Sequence, residues 1–162
     1  MAGVYTINSG GAVTIANAAL TLIFLHVGAT QSLQVLRCKA SQRGTTTLEM
    51  VGVQLVTQVS AFPTLTAATP RAHDGWSTSQ IAGGTAGAAG TCGINATAEG
   101  GGARTIRFED SFSNLVGFEW RPYTEDEIWT LQAGSASGFG LYFPAALTGR
   151  TSWTFDMTFR EL

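Results

Sequence analysis

Lysine is nearly missing from this chain. Lys39 is the only one in 162 residues, and eight arginines carry the rest of the positive charge. Charged residues reach 12%, against roughly 25% in an ordinary soluble domain. The net charge is −2 and no basic cluster interrupts it, so the phosphate-neutralising face that a nucleic-acid partner requires is not there. Scarce lysine with retained arginine and aromatics is the composition of interface cores. We therefore expect a homo-oligomer. The competing reading is a monomer wetted by its many Thr, Ser, Asn and Gln residues.

Other shortages exclude more. The two cysteines, Cys38 and Cys92, lie far apart, and residues 1–5 show neither a basic start nor an early apolar run. The expectation is a protein without a secretory leader, made in a cytoplasm, with both thiols free. The longest apolar run, residues 18–27, is broken by Thr21 and His26 and is too short to span a bilayer, so no membrane partner is expected. No paired cysteine or neighbouring histidine gives zinc spacing, no calcium-loop pattern occurs, and residues 83–90 lack the Gly-Lys-Ser/Thr ending of a phosphate loop. No cofactor and no metal are expected.

What the chain has is alternation. In residues 153–160, Trp153, Phe155, Met157 and Phe159 share one parity, and Thr154, Asp156, Thr158 and Arg160 the other. Side chains alternate across a strand, so this stretch has one oily and one wet face, as in antiparallel sheets. Similar short strands are predicted at 4–7, 12–15, 33–40, 45–60, 105–112, 116–121, 128–132 and 141–144, separated by Gly and Pro turns. Gly52 marks a bulge or a close backbone approach. Residues 18–27 are apolar on both parities, which describes a strand covered twice; a second subunit is the expected outer cover, with Leu22, Phe24 and Leu25 in the shared surface. Residues 63–102 are rich in glycine with little periodicity and are expected to form one long loop, with short strand around 91–98. The whole chain, 1–162, reads as one all-β domain: an antiparallel β-sandwich of about 8–10 strands, jelly-roll-like, with one long Gly-rich loop.

Residues with chemistry are few. His26 sits in an apolar strand and reads as a hydrogen-bonded core or interface group. His73 beside Asp74 could form a dyad, but it needs a third group. Glu109, Asp110 and Glu119 are the acids a glycosidase reading would pair, while Glu125, Asp126 and Glu127 read as an exposed acidic corner. Trp76, alone outside the strand-rich regions, would stack a sugar, anchor a partner or plug its own loop. No catalytic residue is singled out, and the chain is read as no enzyme.

Residues 118–122 (Phe-Glu-Trp-Arg-Pro), 127–129 (Glu-Ile-Trp), 138–141 (Gly-Phe-Gly-Leu) and the closing strand at 153–161 resemble small β-rich virion proteins of tailed bacteriophages. These are auxiliary capsid proteins of the decoration or cement type. Residues 37–59, leading into Thr69-Pro70-Arg71, follow the same ordering. The resemblance implies a jelly-roll-like homotrimer that binds the major capsid protein on the virion surface and stabilises the capsid. Arg71 and Trp76 join the expected interface residues. Two other functions stay open: a carbohydrate-binding sandwich using Trp76 and the acidic corner, and another virion part such as a head fibre, tail or baseplate domain.

Overall fold

The computed structural model describes residues 3–44, 47–85 and 87–162. The start of the strand expected at 45–60, the first two residues of the chain and Ala86 of the glycine-rich stretch lie outside the described residues. Eight strands carry the core: β1 (Val4–Asn8), β2 (Leu20–His26), β3 (Leu33–Gln42), β4 (Met50–Gln58), β9 (Arg104–Ser113), β10 (Phe118–Trp120), β12 (Gly138–Phe143) and β13 (Trp153–Glu161). Five others join them: β5 (Thr64–Ala67), β6 (Arg71–Ala72), β7 (Ala82–Gly83), β8 (Thr91–Ala98) and β11 (Trp129–Leu131). Glu125–Glu127 form one 3₁₀ turn, and the described residues contain no α-helix.

The strands form two sheets, ordered β10-β3-β13-β1-β6 and β5-β8-β2-β12-β4-β9. Within them, β1-β13-β3-β10 and β2-β12-β4-β9 alternate between sheets as two interlocked Greek keys do. This is the jelly-roll sandwich expected from the alternation. Every pairing is antiparallel except β7 with β8. The oily parity of β13 faces inward, with Trp153, Phe155, Met157 and Phe159 all buried. Each such side chain contributes about 1.5–3 kcal/mol by leaving water. Trp153 meets Phe143 and Phe112 of the opposite sheet edge-on, at ring distances of 5.1 and 6.2 Å.

Four expectations need correction. Residues 63–102 are no structureless loop. They hold β5 to β8, which extend the seven-stranded sheet past β2 and the six-stranded sheet past β1. β8 is the strand expected around 91–98, whereas β5, β6 and β7, of two to four residues, show no readable alternation, which is why the sequence hid them. The strand expected at 12–15 is a single bridge, Val13 to Trp153. The irregularity expected at Gly52 falls instead between Leu55 and Val56, where Arg107 is the extra residue of β9.

The fourth correction concerns β2. All seven of its residues are buried, but by the chain itself. Register places Phe24 between Gly93 and Gly140 on the sheet's outer face, and the missing side chains there leave room for its ring. A Cβ on Gly138 would come within 2.1 Å of that ring. Phe62, on the way out of β4, then covers Phe24 and His26 at ring distances of 5.6 and 4.2 Å. Leu22, Phe24 and Leu25 therefore have no surface to give a second copy, and they leave the set of interface residues.

Candidate functional site

The two sheets stay sealed along β2 but part at the opposite side, between β9 and the interrupted edge of β3. That edge is shared: β10 pairs with Cys38–Ala40 and β11 with Leu33–Val35. Between them the chain leaves the sheet for residues 121–128, because Pro122 ends the strand by removing a backbone donor. The residues flanking the break, Trp120 and Trp129, both project inward, opposite Cys38 and Val35. Their rings stack, with centroids 4.2 Å apart and planes 5° from parallel. Phe139 supports Trp129 at 5.2 Å.

Across the gap, Phe108, Asp110 and Phe112 share the inward parity of β9 opposite Leu55, Val53 and Val51, and the extra residue at Arg107 turns Ile106 to the outer face. The result is a groove of about 750 Å³. Phe108, Trp120 and Trp129 provide its apolar lining; Asp110, Glu119, Arg121, Tyr123 and Glu127 provide its polar lining. This size and mixture are those of small-molecule sites.

The acids are anchored. Glu119 takes Arg121 on one oxygen and Lys39, at 3.3 Å, on the other. Burial works against its ionisation, but those two cations outweigh it and hold the carboxyl below its ordinary range. It is therefore no proton donor near neutrality. Glu127 accepts the Tyr123 N–H at 2.7 Å and so fixes the turn that carries the tyrosine. Asp110 accepts the Ser111 N–H at 2.7 Å. Glu109 faces the other way and accepts from Gln54. The structure thus brings Asp110 and Glu119 to one groove and leaves Glu109 out. The arrangement can stack and hydrogen-bond a ligand.

A second feature lies at one end of the sandwich. Leu48 and Met50 precede and open β4, and Leu115 and Val116 follow β9; these four are 65%, 64%, 53% and 86% exposed. The backbone holding them is braced from within. Buried Asn114 receives the Glu49 N–H at 3.0 Å and donates to Gln42 Oε1 and to the Thr47 carbonyl at 2.9 and 3.0 Å. The Glu49 carboxylate in turn accepts the Thr148 and Gly149 N–H groups at 2.8 and 2.9 Å.

The remaining candidates are dispersed. Arg71 and Trp76 are exposed, the latter by 85%, and lie on and just beyond β6. The acidic corner follows β10, at the other edge of that sheet. Trp76 and the corner therefore do not form the single sugar site expected of them. His73 and Asp74 form no dyad. His73 Nε2 contacts Thr6 Oγ1 at 2.7 Å, while Asp74 is turned to the Ser77 hydroxyl and the Trp76 and Ser77 N–H groups. Hydrogen bonds from Ser77 hold its carboxyl below the ordinary range. His26 is buried, with Nδ1 2.6 Å from the Gly87 carbonyl.

Cys38 and Cys92 are free and buried in different sheets. Burial raises both thiols, that of Cys92 to about 12. Among the described residues, no group of three or more His, Cys, Asp or Glu could hold a metal, and no helix is long and apolar enough to cross a membrane. The groove was missed in the sequence because Phe108, Trp120 and Trp129 each fit a core alternation. The only signal was Pro122 breaking an aromatic strand. No family model matches the chain, and no curated protein or solved structure resembles it at a significant level.

Proposed function

We propose that this chain is a structural virion protein of the decoration or cement type, acting as a homotrimer that docks on the major capsid protein and stabilises the capsid without catalysing a reaction. One observation carries the reading: the four apolar side chains at the braced end. Large apolar groups held out on rigid turns make a docking surface, because ordering them costs little further entropy on binding. Low charge and the near absence of lysine suit a surface that meets protein, and symmetry multiplies a modest contact across a shell.

Light scattering is expected to give three times the chain mass, and mass spectrometry of purified particles to find the chain in them. Val116→Asp with Leu48→Asp is expected to abolish binding to undecorated capsids while leaving the thermal midpoint unchanged. Full binding by the doubly charged variant, or absence of the chain from particles, would refute the proposal.

A further inference from the structure

We propose that the groove between β9 and the β10–β11 edge binds a neutral saccharide. This site is separate from the apolar end and would stand if capsid docking failed. Three features define the occupant. The first is the lining: the half-buried rings of Phe108 and Trp129, backed by buried Trp120, and the exposed Tyr123 ring at the mouth offer apolar surface, which suits the C–H face of a pyranose ring. The second is the rim, where carboxylates accept, the Arg121 guanidinium donates and a tyrosine hydroxyl does both. A ring of hydroxyl groups needs acceptors and donors together.

The third is electrostatic. Glu119 is paired with Lys39 and Arg121, while Glu127 and Asp110 each take one backbone N–H and keep lone pairs for a ligand's hydroxyl groups. An anion would meet three acids against one arginine in the lining. A neutral polyol escapes that penalty. Tyr123 supports the same reading. It is 92% exposed, yet its backbone is pinned by Glu127, so the ring stands ready at the groove's mouth without supporting the fold.

The probes are maltotriose, cellotriose, mannotriose, lactose and the trimer of N-acetylglucosamine. Each is titrated to about 20 mM, far enough to read millimolar affinity, while the four indole N–H signals are followed by NMR. At least one sugar is expected to shift the Trp129 or Trp120 signal saturably, with Trp76 and Trp153 unmoved. Tyr123→Ala, at unchanged thermal midpoint, is expected to weaken that affinity about tenfold, the loss of one stacked aromatic contact. Trp76→Ala should bind as the unmodified protein does. No response to any of the five sugars overturns the proposal, as does a response confined to Trp76 or one indifferent to Tyr123→Ala. Salt-sensitive binding of trilysine at the same indoles, in place of sugar, would also overturn it.

Discussion

Strands β2 and β9 belong to one sheet, with β12 and β4 between them, yet they occupy opposite surroundings. Every residue of β2 is buried, whereas most of β9 from Thr105 to Ser111 is exposed on both faces. The difference comes from what each neighbour supplies. The excursion between β4 and β9 returns over β2, adding β8 along its edge and Phe62 over its outer face. Nothing in the described chain pairs with the far edge of β9. A jelly roll is thus closed on one flank and open on the other, and the groove lies on the open flank. Arg104, Arg107, Glu109 and Asp110 on β9, with the extra residue at Arg107, discourage edge-to-edge pairing of that strand.

The comparison breaks most visibly in the cores of the two strands. Phe24→Ala empties the space between Gly93, Gly140 and Phe62, and is expected to cost about 3–5 kcal/mol. Ile106→Ala lies on the same outer row, reached through Gly140 and Val56. Being half exposed, it should change stability by less than about 0.5 kcal/mol. Urea midpoints of the two variants test this directly. Equal losses would mean that β9 is covered in solution, by a second copy or by another partner.

Much of this arrangement was legible beforehand, and its gaps have physical causes. The oily parity of β13 and the double apolarity of β2 both follow from side-chain alternation, which is local. What covers β2 is not local. Phe62 and Gly87 are tens of residues away and belong to a stretch whose glycines mask its strands, so a second subunit was the natural inference. The groove was hidden for a related reason. Trp120 and Trp129 look like core residues of two strands until it is known that both strands lie along the same edge of β3. Ile106 shares the sequence parity of Phe108 and Asp110 yet takes the opposite face because of the extra residue at Arg107, and a one-residue shift leaves no trace in composition.

A smaller loss is expected where β9 ends. Its exposed run closes at Phe112 and at buried Asn114, which ties the turn to Gln42, Thr47 and Glu49. Asn114→Ala removes the hydrogen bonds to Gln42 Oε1 and from the Glu49 N–H at a buried site and should cost about 2–3 kcal/mol. If the brace also presents the apolar end, capsid binding should weaken in this variant at temperatures where it is still folded. Retained full binding would separate presentation from stability.

The smallest effect is one of pH, and it tests whether the same end is rigid in solution. Burial resists ionisation of Glu49, but the Gly149 and Thr148 hydrogen bonds prevail and hold its carboxyl below the ordinary value of 4.5. A carboxyl depressed in the folded state adds stability above its unfolded value and loses it as pH falls through the folded one. The urea midpoint should therefore be level with respect to this group above about pH 5 and decline below its ordinary range. Glu49→Gln cannot ionise, so the gap between the two proteins should be widest near neutrality and narrow in acid. Parallel curves down to pH 3 would mean that the Thr148–Gly149 turn does not hold the carboxylate in solution.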